Sequence, residues 1–331
     1  MQREDFRPSW CSFHIFYHSD QQRLLGSLIA PSVMHFFQTG QIERFFFIRY
    51  SLGGPHIRLR LQCRCDRVEE IEIYLRHRAE EFFERWPSKA TIPVTRIQEQ
   101  NAAILAQAPL ETDDRVYPDQ HLERFEFHPE VERYGGPDRL EDSLDLFEVS
   151  SIEALQMSIK CEGYSRPQQL SFIFRMILNQ ALGFSDSHED LQRWNTYYFK
   201  IWPSIATIDQ AADRVFEKQE AQLRALFSLE LERPSFPYLQ LASRRLADLI
   251  RDAEEMVRER ILQSQLHMTA NRVGLTNHEE LYVCRLLQRA GTGQPADPTG
   301  NHIDSENHTI ETLRRIALDR LSAQVLPSRK P

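Results

Sequence analysis

The chain has 331 residues, of which 41% are hydrophobic and 27% charged, with only 12 glycines and a formal charge of −8. This is the composition of a globular protein with a sizeable core, which excludes a disordered or fibrous chain. The acidic balance argues against direct nucleic-acid binding, because the overall field repels phosphate. The N-terminus, MQREDFRPSW, has no apolar signal core, and no stretch approaches ~18 uncharged apolar residues, so no membrane segment is expected and a cytoplasmic location is. Five scattered cysteines (Cys11, Cys63, Cys65, Cys161, Cys284) read as reduced thiols, and the Cys63–Cys65 pair alone is thin evidence for a metal.

Taken in order, WCSFHIFYH (10–18) predicts a first strand from its aromatic and β-branched content. A helix follows over roughly 20–38, with Asp20 as N-cap and Gly40 just past its end. IERFFFIRY (42–50) and HIRLRLQ (56–62) predict two strands, and SLGGP (51–55) between them predicts a five-residue hairpin loop. A charged amphipathic helix is expected at about 66–86, then strands at TIPVTRI (91–97) and HLERFEFHP (121–129). After GGP (135–137) the pattern turns helical: 138–160, 167–183, 206–230, 235–263 and 277–290. A polar loop, 291–308, precedes a last helix at about 309–323 and a tail ending PSRKP. Strands early and helices late predict an α+β fold, an antiparallel sheet in the N-terminal half packed with a largely helical C-terminal half. One compact unit over 1–331 is expected, with a subdivision near 135 as the alternative.

Three segments concentrate chemistry. In HIRLRLQ, alternation puts His56, Arg58 and Arg60 on one strand face and Ile57, Leu59 and Leu61 on the other. Two arginines two positions apart are ~7 Å apart, close enough to grip one anion, although an ordinary half-exposed strand has the same spacing. In HPEVERYGGP (128–137), the glycines permit a reversal that would present Arg133 and Tyr134 into a cleft; a solvated surface turn is the plain alternative. In QLHMTANRVG (265–274), His267 has a partly apolar setting, and burial would lower its pKa and leave a neutral imidazole able to act as a base. A core or cap histidine is the plain alternative there, with Asn271 and Arg272 as caps or braces. G-x-S-x-G, H-E-x-x-H, Walker A and G-x-G-x-x-G sequences do not occur. His14 and His18, four apart on a strand, are too far separated to chelate one ion, and Phe45–Phe47 reads as packing on both sheet faces.

These segments resemble, in order, three blocks of the C-terminal elimination domain of class I lanthipeptide dehydratases, a domain type that also occurs in thiopeptide biosynthesis. FFFIRYSLGGPHIRLRLQ is similar to its "FFiRY…pHlRlR" signature, HPEVERYGGPDRLEDSLDLFEVSS to its "PE-x-x-RYGG…F-x-x-S" block, and LHMTANRVG to its "HM-x-x-NR" block. The resemblance implies a lyase that removes the α-proton of a glutamylated Ser or Thr in a precursor peptide and expels glutamate, leaving dehydroalanine or dehydrobutyrine. It implies His267 as acid/base, Arg58, Arg60 and Arg133 as carboxylate and oxyanion binders, and His56, Tyr134 and Arg49 as substrate contacts. It implies no metal or organic cofactor. The large glutamylating domain of a full-length dehydratase does not precede these blocks, so a separate tRNA-dependent glutamylating enzyme is the expected partner, and a homodimer is an option. Two alternatives stand beside elimination: a thiopeptide-type formal [4+2] cycloaddition on the same scaffold, and a non-catalytic subunit that binds the precursor peptide.

Overall fold

The computed structural model describes residues 9–106, 113–187, 190–191, 206–292 and 309–325. Most of the expected polar loop (293–308) and the PSRKP tail lie outside the described residues. The chain divides into two compact units, the first comprising 1–129, 158–162 and 318–331 and the second 130–157 and 163–317.

The first unit is built on strand β1 (Ser9–Phe16), the hairpin β2 (Ile42–Tyr50) and β3 (His56–Cys63), and a short β4 (His121–Phe125). They form an antiparallel sheet in the order β2-β3-β1-β4. Helix α1 starts as Gln21–Leu24, widens to a π-turn over Leu25–Ile29 and continues as Ala30–Gln38. Asp20 caps it through its side chain, accepting from the Gln22 and Arg23 amides, and Gly40 adopts φ +65° after its end. The π-turn ends just before Pro31, which has no amide to donate into a regular α-turn. A 3₁₀ turn (Cys65–Arg67) leads into α2 (Val68–Arg85).

One sheet face carries the apolar core. Phe13, Ile15, Phe45, Phe47, Ile57, Leu59 and Leu61 are 0% exposed, and they share the core with Leu24, Leu28 and Phe36 of α1 and Ile71 and Leu75 of α2. Each such side chain contributes ~1.5–3 kcal/mol on burial. Because the strand period is two, this packing pins the register and sends the alternate residues to the opposite face.

The strand expected at TIPVTRI is instead the start of a helix, α3 (Val94–Leu105), entered at Pro93. Only Ile92 and Val94 keep strand spacing in TIPVTRI, and Ile97 breaks it; the longer run places Val94, Ile97, Ile104 and Leu105 at helical spacing, with Ile97 and Asn101 buried. Asn101 then holds the hairpin loop: its Oδ1 accepts from the Gly53 amide at 2.8 Å.

The second unit opens with a 3₁₀ turn (Val131–Tyr134) and continues as α4 (Pro137–Lys160), α5 (Arg166–Phe184), α6 (Ala206–Glu232), α7 (Pro237–Leu249), α8 (Glu255–Arg272), α9 (Asn277–Gly291) and α10 (Ile310–Val325). The last residues of α4 and α10 belong to the first unit. The single helix expected over 235–263 is two, α7 and α8. Its break at 250–254 contains neither Gly nor Pro, and i→i+3 bonds tighten the end of α7, from the Arg251 amide to the Asp248 carbonyl and from Ala253 to Ile250. Elsewhere the expected elements agree to within a few residues, and the α+β assignment holds. No helix among the described residues is long and apolar enough to cross a membrane. All five cysteines are free, and Cys11 and Cys63 lie with sulfurs 3.4 Å apart.

Candidate active site

The polar face of the sheet is not half-exposed. His56 is 0%, Arg58 9% and Arg60 8% exposed. Register sets their neighbours: Phe16, His14 and Ser12 of β1 stand opposite His56, Arg58 and Arg60, and Tyr50, Ile48 and Phe46 of β2 flank them on the other side. The His56 tautomer follows from its bonds. Nδ1 lies 2.8 Å from the Gly54 carbonyl, an acceptor only, so Nδ1 carries the proton. Nε2 is therefore a lone pair, and it accepts from Arg58 Nε at 3.2 Å. The Arg58 guanidinium also lies 3.7 Å from the centroid of the Tyr50 ring, and that of Arg60 lies 4.9 Å from Phe127 and 5.5 Å from Phe46. Burial pulls His56 down to about 3, with the Arg58 guanidinium adding to the effect. Burial, then Arg58, pulls His14 far below the usual histidine range. Both imidazoles are neutral at physiological pH.

The hairpin loop that anchors His56 needs its glycines. Gly53 and Gly54 adopt φ +82° and +121°, and a Cβ on Gly54 would lie 2.7 Å from His18 Nε2. The sharp turn aims the Gly54 carbonyl back at His56.

Arg49 does not join this group. It stands opposite Ile57, on the other sheet face, and donates to the side chains of Gln21 (3.3 Å) and Gln22 (3.1 Å) at the start of α1. Strand alternation alone separates Arg49 from Tyr50.

In the second unit, Arg133 sits in the 3₁₀ turn. Its Nε donates to Ser264 Oγ on α8 at 2.9 Å, and one terminal nitrogen pairs with Glu130 at 3.1 Å. Gly135 and Gly136 follow at φ +84° and +94°. They line a shallow cleft of about 410 Å³ with Glu132, Arg139 and Arg260, but Arg133 and Tyr134 do not line it. Tyr134 is 4% exposed and packs edge-on against Phe147 at 5.2 Å. Its place is that of a brace, not of the cleft-lining contact expected. Arg272, 0% exposed, lies over the same Phe147 ring at 4.5 Å, and burial lowers its pKa to about 9.

His267 lies one turn after Ser264 on α8. Gly274, at φ +76°, ends that stretch, and a Thr276–Glu279 capping box starts α9. This short connection brings Glu280 beside His267: its carboxylate oxygens are 2.9 and 3.1 Å from Nδ1. The side chains of His267 and Glu280 are 24% and 4% exposed. Burial, followed by the Arg133 guanidinium, pulls His267 down to about 4. Burial pushes the Glu280 carboxyl well above the usual carboxylate range. The lowered histidine pKa is the direction expected from burial. Glu280 was not singled out from the sequence; its signal there is a carboxylate within the first turn of the next helix, where an N-terminal glutamate ordinarily means helix capping. Ser264 was missed as well, and only its i,i+3 relation to His267 hints at it.

The arrangement at His267 fits proton transfer. With the proton on Nδ1 donated to ionised Glu280, Nε2 is a base. When Nε2 takes a proton, the Nδ1 proton can pass to Glu280, whose raised affinity welcomes it, and the buried pair goes from −1 to neutral. Among the described residues, no three His, Cys, Asp or Glu side chains converge as a metal-binding group.

Residues 10–290 match the family model described as the C-terminal part of lantibiotic biosynthesis dehydratases. Among solved structures, the fold is similar to a pyridine synthase, TbtD, from thiomuracin biosynthesis, with TM-score 0.70 and 14% identity over 85% of this chain and 97% of that one. It is similar to the tRNA-dependent lantibiotic dehydratase MibB from Microbispora sp. 107891, with TM-score 0.58 and 18% identity over 88% of this chain and 28% of that one. It is similar also to TsrL, with TM-score 0.53 and 14% identity over 86% and 94% of the two chains. No curated protein matches the chain by sequence. At these identities the structural likeness is one of fold.

Proposed function

The chain belongs to the lantibiotic biosynthesis dehydratase C-terminal family, whose members modify ribosomally made peptides, and on that premise we propose that it is a glutamate-eliminating lyase. The substrate is a precursor peptide carrying a glutamyl ester on Ser or Thr, made by a separate tRNA-dependent glutamylating activity; the products are dehydroalanine or dehydrobutyrine and free glutamate. The observation that carries the reading is the buried His267–Glu280 pair, with Arg133 close enough to depress the histidine. His267 Nε2 takes the α-proton, the electron pair forms the Cα–Cβ double bond, and the Cβ–O bond breaks to release glutamate through its carboxylate. Negative charge gathers on the peptide carbonyl as the proton leaves, and a fixed guanidinium stabilises it better than mobile water does. Arg133 is assigned to that charge, with Ser264 holding its Nε in place. Arg58 and Arg60 are assigned to carboxylate binding, where a planar fork matches two oxygens. His56 orients Arg58. Arg49 and Tyr134 take no part in the proposal.

Mass spectrometry of a glutamylated Ser-containing peptide incubated with the chain alone tests the reading. Loss of glutamate with formation of dehydroalanine supports it, and His267→Ala, folded, should leave the glutamyl ester to accumulate. A second reading is a cyclase that joins two dehydroalanines in a formal [4+2] cycloaddition; the fold likeness that spans nearly all of a pyridine synthase favours it. An unchanged glutamyl ester, together with ring formation from a bis-dehydroalanine peptide, would replace the first reading with the second.

A further inference from the structure

Helix α8 carries more than Ser264 and His267. Glu255, Glu259, Gln263 and His267 follow one another at every fourth position along it, and such an i,i+4 row forms a continuous ridge on a helix. The first three line a cavity of about 280 Å³ in the second unit, where the end of α5, the end of α7 and the start of α8 meet. Apolar Phe184 and Leu262, 6% and 3% exposed, share its wall. The proton-transfer chemistry at His267 leaves this cavity unused.

Two polar groups in the wall lack partners. Gln263 is 8% exposed, and its amide makes no hydrogen bond to any described residue. Glu259 Oε2 is shielded from solvent and has no hydrogen-bond partner among the described residues either. Buried polar groups are ordinarily hydrogen-bonded, and a carboxylate oxygen shut off from water without a partner is costly, so the wall is suited to a ligand that donates. The neighbouring charges are already engaged. Asp186 pairs with Arg244 and Arg251, and Asp190 accepts from the Asp186 amide at 3.3 Å. Arg251 is also held by Asp248, and Arg258 directs a terminal nitrogen at the Arg251 carbonyl, 3.5 Å away. Glu255, Glu259 and Arg258 are left without an ion-pair partner among the described residues, two carboxylates against one guanidinium. One further positive charge balances them, and the Gln263 side-chain oxygen is an additional acceptor for its N–H groups.

A cation on an aliphatic stem matches acceptors set beside apolar side chains. The cavity is smaller than the ~300–1,000 Å³ of sites that enclose a whole small molecule, so it suits a single side chain. We propose that it binds a basic side chain, lysine or arginine, of the precursor peptide, with Glu255, Glu259 and Gln263 as specificity-determining residues. The occupant rests on the reading of the chain as a peptide-modifying enzyme and is the same for elimination and cyclisation. The helix sets the spacing. At ~1.5 Å of rise per residue, Glu259 stands ~12 Å along α8 from His267. An extended peptide covers ~3.3 Å per residue, so a basic residue about four positions from the reacting Ser or Thr reaches both.

Fluorescence anisotropy with the intact chain tests the site. The probes are labelled short peptides of alanine and glycine that carry one serine and either one lysine or norleucine, its uncharged counterpart. Wild type should bind the lysine peptide on the order of tenfold more tightly, and Glu259→Gln should remove that preference with the melting temperature preserved. If Glu259→Gln does not fold, Glu255→Gln, on an exposed side chain, decides. Equal binding of the two peptides by wild type overturns the site, and so does a lysine preference that persists in the folded variants. In a second arm the serine is glutamylated and the lysine is moved along the peptide; kcat/KM should peak with the lysine about four residues away. Elimination indifferent to the lysine overturns the site and leaves the lyase reading intact. A lysine preference that Glu259→Gln removes, in a chain that does not release glutamate, upholds the site and removes the lyase reading.

Discussion

Replacing Glu280 by Gln isolates the contribution of its charge to His267. The side chain keeps its shape and one oxygen, so Nδ1–H can still be held at about the 2.9 Å seen with the carboxylate. What disappears is the carboxylate that takes up the Nδ1 proton as Nε2 is protonated. A hydrogen bond to a charged group contributes ~1.5–3 kcal/mol, and taking ~2 for a carboxylate only 4% exposed gives a fall in kcat on the order of thirty-fold. Stability should move the other way or not at all. A carboxyl whose folded pKa lies above its unfolded value loses stabilisation as pH rises through and beyond that unfolded value, so at pH ~7–8 the neutral amide relieves a buried charge. The assay is single-turnover elimination from a glutamylated peptide across pH, followed by mass spectrometry, with urea melts of both proteins. The expected signature is a large rate loss with undiminished stability. A variant that eliminates at the wild-type rate with the same pH profile refutes the proton-transfer role of the pair, and one that loses rate and stability together shows Glu280 to be a structural brace.

Arg58→Lys keeps the positive charge but removes the Nε–H bond to His56 and the flat stack on Tyr50, so elimination should fall on the order of 10- to 100-fold; a rate within a factor of two of wild type contradicts the fork assignment. Gly54→Ala puts a Cβ 2.7 Å from His18 Nε2 at φ +121° and should destabilise the chain by about 2 kcal/mol or more in urea melts. His14 and His56 are neutral when folded and protonate on unfolding below their ordinary value of 6.5. Their stabilisation is therefore complete above about pH 6.5 and is lost as pH falls, by about 1.4 kcal/mol per pH unit for each, down to about 3 for His56. His14→Phe should accordingly show a shallower acid-side loss of stability than wild type, and an identical slope would mean that His14 titrates normally in the folded chain.

The sequence by itself determined the strand–loop–strand of β2 and β3, because alternation and a Gly-Gly-Pro turn are local signals, and it placed His56, Arg58 and Arg60 on one face for the same reason. It also marked His267 and its helix end at Gly274. Short windows misled where local signals compete: in TIPVTRI Ile92 and Val94 keep strand spacing while the twelve residues from Val94 keep helix spacing, and the break between α7 and α8 has no Gly or Pro to announce it. What only the tertiary structure decided is who meets whom. Ser12 and His14 reach the arginines through β1–β3 register, a pairing across more than forty residues that depends on which face is buried. Glu280 reaches His267 because one tight connection folds α9 back beside α8. Arg49 and Tyr134 lie next in sequence to Tyr50 and Arg133, yet a strand turns adjacent side chains to opposite faces, and a 3₁₀ turn put Tyr134 against Phe147. Burial then set the proton affinities, since the desolvation that keeps His14, His56 and His267 neutral is a property of their surroundings and not of the residues.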